Sequence, residues 1–157
     1  MKIYILRHGE AEAPITSDFD RRLTDHGKKQ IEQVFSMVSD EMSSIEKIYA
    51  SPYVRAQETA ILVSDLLKAR NSNAPEINTT SDLVPESSLI KVMTLLESES
   101  AESILFVSHQ PLVGELVNRL CSSPSGYHAM GTGNLACIDL DVPAFGCGNL
   151  LWLKVPS

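Results

Sequence analysis

Two histidines and two arginines are placed where they could do chemistry together. Arg7-His8-Gly9, Ser51-Pro52-Tyr53-Val54-Arg55 and Ser108-His109-Gln110-Pro111 each follow directly on an apolar, β-rich run. Arginine supplies a permanently charged planar fork that matches phosphate oxygens, and neutral imidazole attacks phosphorus or exchanges protons near neutral pH. Phosphoryl transfer needs little beyond positioning and charge stabilisation. Two guanidiniums and a second histidine around a nucleophilic histidine therefore suffice, with no metal and no other cofactor expected. No Asp/His cluster with metal-ligand spacing accompanies these segments. A glycine directly after His8 would let the backbone approach a ligand or take a positive φ.

Convergence of the three segments requires particular elements. Lys2–Arg7 is an apolar run suited to a fully buried strand. Thr24 caps a helix that starts with Asp25 and carries Ile31, Val34, Phe35, Val38 and Met42 on one face. Glu46–Ser51 reads as a second strand. Pro52 suits the first turn of the next helix, whose buried stripe is Ala56, Thr59, Ala60, Val63, Leu66 and Leu67. A short strand around Ile77 and a helix over Ser88–Leu96 follow, then a buried strand at Ser103–Ser108 and a helix opened by Pro111 with Leu112, Val113, Leu116, Val117 and Leu120. Leu135–Val142 and Leu150–Val155 read as two last strands. Strands alternating with helices imply right-handed crossovers and a three-layer α/β/α sandwich around a mainly parallel sheet. In such sheets ligands bind outside the carboxyl ends of the strands, where all three segments fall. Helices opening at Pro52 and Pro111 would aim backbone N–H groups at the same spot, which attracts anions.

Composition bounds the rest. The 157 residues are 43% hydrophobic, and 13 Lys+Arg against 20 Asp+Glu give a net charge of −7. That length supports one core without staples, and no repeat, linker or low-complexity segment divides it, so residues 1–157 are expected to form a single domain. The acidic balance argues against nucleic acid and anionic membrane as partners, because both demand excess basic side chains. Cys121, Cys137 and Cys147 form no C-x-x-C pair and are expected to be reduced intracellular thiols. The apolar stretch Ile3–Leu6 is too short for a signal-peptide core or a membrane span, so a cytoplasmic protein is expected.

Further matches extend the pattern. Arg21-Arg22-Leu23-Thr24-Asp25-His26-Gly27 followed by Gln30 fits R-x-L-T-x-x-G-x-x-Q; Ser51 to Thr59 fits S-P-x-x-R-A-x-x-T; Ser108-His109 supplies a second histidine. With Arg7-His8-Gly9 these segments resemble the histidine phosphatase superfamily, the phosphoglycerate mutase-like proteins, over roughly residues 1–120. The short chain, the S-H-x-P-L-V-G form at Ser108–Gly114 and the lack of a large insertion between Thr59 and Ser103 are most similar to the small SixA-like phosphohistidine phosphatases. A bare R-H-G arises by chance in on the order of one sequence per hundred; four ordered segments do not.

The resemblance implies that His8 is the nucleophile and forms a transient phosphohistidine. It implies that Arg7 and Arg55 bind the phosphoryl oxygens, that His109 donates a hydrogen bond to the transferring group, and that Arg21 adds charge at the mouth. It also implies a proton-donating carboxylate after the third strand in the larger relatives, where this chain reads Asp82-Leu83-Val84-Pro85-Glu86 with proline at the acid's place and Glu86 beside it. A missing acid matters less for an imidazole leaving group, whose conjugate acid has a pKa near 6.5, than for a basic alkoxide. The expected substrate is thus a phosphohistidine-bearing protein, such as a histidine-containing phosphotransfer domain of a phosphorelay. The alternatives are a small-molecule phosphomonoesterase using Glu86 and a non-catalytic phospho-ligand binding domain.

The remaining candidates read as structural. His26 belongs on a solvated helix surface, Glu97, Glu99 and Glu102 form a solvated charge run, and the Met and Phe residues fit core positions. His128 lies in a Gly/Ser-rich stretch that could flank the pocket, and Tyr127 and Met130 beside it could contact a partner or face solvent. No sustained heptad argues for an obligate oligomer, so a monomer is expected.

Overall fold

The computed structural model describes residues 1–70, 72–121 and 129–157. His128 and Tyr127 fall outside them. The apolar runs read above become β1 (Lys2–Arg7), β2 (Lys47–Ala50), β3 (Ile77–Thr79), β4 (Ser103–Ser108), β5 (Leu135–Leu140) and β6 (Gly148–Lys154). They form one sheet in the order β3-β2-β4-β1-β5-β6. β3, β2, β4 and β1 run parallel, while β5 and β6 pair antiparallel on the β1 side.

Side-chain alternation along the central strands builds two cores from one sheet. Ile3 and Ile5 of β1 with Ile104 and Phe106 of β4 face α3 (Leu89–Glu97) and α4 (Leu112–Leu120). Tyr4 and Leu6 with Leu105 and Val107 face α1 (Asp25–Met42) and α2 (Val54–Ala69). Residues of β1 and β4 therefore bury both faces, which is why those strands read as unbroken apolar runs. The result is the expected three-layer α/β/α sandwich with a mainly parallel sheet.

Helix starts follow local chemistry. Thr24 caps α1, its Oγ1 accepting from the Gly27 N–H at 2.9 Å, and Ser88 caps α3 in the same way. Pro52 is not in the first turn of α2; the helix begins at Val54 after Tyr53, and a 3₁₀ turn at Ser81–Leu83 was not legible. The charge run is also not uniformly solvated. The Glu99 side chain is only 5% exposed, 3.3 Å from Lys47 Nζ, and it accepts from the Tyr49 hydroxyl and the Ala101 N–H. It ties the turn before β4 to β2 at the end of the sheet away from His8. Phe19 and Met37 are 43% and 46% exposed, so not every Phe and Met is core.

Candidate active site

The order β2-β4-β1, all parallel, sets three carboxyl ends side by side, with Arg7 opposite Ser108 and Ala50 opposite Val107. His8, Ser51 and His109 are the next residues out. The His8 N–H bonds the Ser108 carbonyl at 3.1 Å and the Ser51 N–H bonds that of Val107 at 3.1 Å, so the strands carry pairing one step into the site. The two imidazole centroids lie 5.1 Å apart.

His8 is locked in one neutral form. Its Nδ1 donates to the Gly9 carbonyl at 2.7 Å, which leaves the Nε2 lone pair to accept from Arg55 Nε at 3.3 Å. The Gly9 peptide is held in turn by Thr59, whose Oγ1 accepts the Gly9 N–H at 3.2 Å and donates to the Arg55 carbonyl at 2.8 Å. Glycine at position 9 is not required by a positive φ. A Cβ there would stand 2.5 Å from the Gly27 carbonyl oxygen, so the residue is set by close packing on the first turn of α1. On the other side Gly133, at φ +73°, points its N–H at both the Arg7 and His8 carbonyls.

His109 follows a different scheme. Its Nε2 lies 2.8 Å from Ser51 Oγ, which also accepts the Tyr53 N–H at 3.3 Å, and its buried Nδ1 has no partner among the described residues. With the Ser51 hydroxyl donating to Nε2, only the Nδ1–H is left unmet; the opposite tautomer would leave the serine proton without a seen acceptor as well as a bare Nδ1 lone pair. An oxyanion beside His109 would satisfy the Nδ1–H. The Tyr53 ring packs edge-on against His109 at 5.0 Å, and Phe19 packs against Tyr53 at 5.0 Å.

The guanidiniums surround these rings. Arg55 is buried; besides touching His8, it donates from Nη1 to the Asp18 carbonyl at 2.7 Å and from Nη2 to the Asp18 carboxylate at 3.3 Å. Arg21 donates from Nη1 to the same carboxylate at 2.9 Å and from Nε to the Glu12 carbonyl at 2.6 Å. Arg7 holds the Met130 carbonyl at 2.9 Å. The loop that brings Asp18, Phe19 and Arg21 over Arg55 is closed at its base by the antiparallel bridge between Ala11 and Leu23.

Burial keeps both imidazoles neutral. Loss of water pushes His8 down to about 4, with Arg55, Arg7 and Arg21 adding to the effect against the opposing Gly9 bond. The same burial, with His8 and Arg55 nearby, pushes His109 to about 2. Guanidinium repulsion is thus the smaller cause and burial the larger.

The expected residues therefore gather: Arg7, His8, Arg55 and His109 at the strand ends, with Arg21 joined to them through Asp18. Helix N-termini contribute less than expected. The Val54 N–H is taken by the Phe19 carbonyl, Val113 N–H by His109 and Gly114 N–H by the Gln110 side chain. Glu86 is exposed, touched by the Tyr53 hydroxyl at 3.5 Å, and His26 is exposed, 3.8 Å from Glu10. Asp18, Ser51 and Thr59 are the site residues that sequence reasoning passed over; Ser51 and Thr59 sit within a quoted motif, while Asp18 carries no sequence signal. Among the described residues no group of His, Cys, Asp and Glu could hold a metal ion, and no helix is long and apolar enough to cross a membrane.

Residues 3–83 match the sequence pattern of the histidine phosphatase superfamily (branch 1). The chain belongs to the histidine phosphatase superfamily. Within it, the chain is 39% identical over 128 residues to a phosphohistidine phosphatase SixA homolog of Haemophilus influenzae, covering 76% of this chain and 77% of that one. It is 31% identical over 158 residues to phosphohistidine phosphatase SixA of Escherichia coli, covering 99% and 94%. The solved structure of protein histidine phosphatase SixA in complex with tungstate superposes with a TM-score of 0.85 at 31% identity, over 99% of this chain and 97% of that one. The fold is shared more widely: α-ribazole phosphatase from Shigella flexneri gives a TM-score of 0.70 at 19% identity, over 99% of this chain and 96% of that one.

Proposed function

We propose that this histidine phosphatase hydrolyses phosphohistidine on a protein, such as a histidine-containing phosphotransfer domain of a phosphorelay, through a covalent intermediate on His8. One observation carries the reading: a buried neutral imidazole whose Nδ1–H is tied to a backbone carbonyl and whose Nε2 faces a buried guanidinium. The Nε2 lone pair attacks phosphorus in line; the substrate P–N bond breaks and its electron pair stays on the leaving imidazole. Water then attacks the phosphorylated His8, the new P–N bond breaks, and His8 Nε2 recovers its lone pair as phosphate departs. Arg55 and Arg7 hold the equatorial oxygens, the His109 Nδ1–H adds a third donor, and Arg21 adds charge at the mouth. These groups supply the charge that a metal supplies in other phosphatases, so the reaction is metal-independent. Similarity to the two SixA proteins supports the P–N substrate, and residues 1–157 act as a single domain, a cytoplasmic monomer.

The test supplies a phosphohistidine-bearing protein and a panel of phosphomonoesters in parallel, with EDTA throughout. The P–N substrate is expected to turn over fastest, at a rate EDTA does not change. Faster ester hydrolysis, or loss of activity with EDTA, overturns the reading.

A pH profile checks the nucleophile's state. Attack needs neutral His8, and a group pushed from 6.5 to about 4 stays neutral as pH falls until that lower value is approached. The acid limb of kcat/KM assigned to the enzyme is expected well below pH 6.5. An acid limb above about pH 7 contradicts it.

A further inference from the structure

In-line displacement fixes where the leaving group must be. His8, Arg55 and His109 are 5%, 4% and 1% exposed and form the inner end of the pocket. A group leaving opposite His8 Nε2 therefore emerges on the solvent side. On the solvent side of the buried Arg55 is a carboxylate: Asp18, with its side chain 56% exposed, paired with Arg21 at 2.9 Å and Arg55 at 3.3 Å. Beside it runs an aromatic wall, Phe19 on Tyr53 on His109. An anion at the mouth of an anion-binding pocket works against phosphate capture. It becomes an asset when the ring bonded to phosphorus is cationic.

The geometry points to Asp18 as the specificity-determining residue that selects a substrate whose phosphorylated ring is an imidazolium, and so P–N over P–O substrates; this rests on the phosphohistidine reading above. A phosphorylated imidazole protonated on its second nitrogen donates that N–H to the Asp18 carboxylate and lays its ring against Tyr53 and Phe19. When the P–N bond breaks, its electron pair stays on the departing nitrogen and neutral imidazole leaves, its second N–H still in place. No proton has to reach the breaking bond. A phosphate ester offers the carboxylate no such proton, and its departing oxygen gathers negative charge against Asp18. The charged and titratable groups facing Asp18 are Arg21 and Arg55, which keep it ionised, then the Tyr53 hydroxyl, with Glu86 behind it, and His109. Glu86 supports the same preference from the far side of Tyr53.

Free phosphohistidine and p-nitrophenyl phosphate, compared on wild type, Asp18→Asn and Asp18→Glu, test this. For Asp18→Asn the ratio of kcat/KM for phosphohistidine to that for the ester is expected to fall about tenfold, one charge-assisted hydrogen bond's worth. The alkaline limb of the phosphohistidine profile moves to lower pH, since a carboxylate raises the pKa of a ring it touches. Asp18→Glu restores part of both. Parallel loss on the two substrates with profiles unmoved would mean that Asp18 only orients the guanidiniums, and an unchanged ratio would likewise overturn the inference. Wild type that hydrolyses the ester but not phosphohistidine is a different outcome, one that removes the substrate reading itself.

Discussion

His8→Ala is expected to lower turnover of a phosphohistidine substrate by at least about 10⁴-fold, the scale seen when a covalent nucleophile is removed. The loss follows from geometry. The other imidazole of the site cannot take its place: His109 Nε2 is occupied by Ser51, and its Nδ1 is assigned a proton. Water alone would have to attack, without the imidazole's proximity and orientation. The fold should survive, because the His8 backbone N–H and carbonyl, not its ring, make the bonds to Ser108 and Gly133. Steady-state rates together with circular dichroism check both halves, and near-wild-type turnover in a folded His8→Ala would remove the mechanism.

Arg55→Ala is expected to cost about 10³-fold in kcat/KM, raising KM and lowering kcat together. Arg55 is the guanidinium that touches the nucleophile, so it meets the phosphoryl oxygens both in the bound state and as charge builds in the transition state. It also anchors the loop above it, through the Asp18 carbonyl and carboxylate. Lysine should not restore the activity, because a point charge cannot keep Nε on the phosphoryl group while both terminal nitrogens hold Asp18. Michaelis kinetics on Arg55→Ala and Arg55→Lys give the answer; an effect on KM alone would confine Arg55 to ground-state binding.

How much of this was legible in the sequence depended on whether a feature was local. β1 and β4 were readable to the residue because strands buried on both faces are unbroken apolar runs, and the α1 start was readable because Thr24 is a capping residue at the head of an apolar stripe. Arg7, His8, Arg55 and His109 could be assembled because each lies within or just beyond a strand end, so topology alone brings them together. The rest came from contacts between distant segments. Gly9 is glycine because Gly27, eighteen residues on, packs against it. Glu99 looked like one of three surface acids until Tyr49 and Lys47 closed over it. Asp18 lies in a stretch without period or motif, and only the bridge between Ala11 and Leu23 swings it onto Arg55 and Arg21. Helix starts at proline proved weaker signals than capping hydroxyls: Pro52 precedes the Tyr53 cap and leaves α2 without a side-chain cap bond.

A covalent phosphoryl group on His8 is the centre of the account. Wild-type protein mixed with a phosphohistidine donor and quenched within the first turnover should gain one phosphoryl mass. That mass should be lost in acid and kept in base, and peptide mapping should place it on His8. His8→Ala treated identically should gain none. Wild type that turns over substrate without ever carrying the group, or His8→Ala that still carries it, would contradict the account.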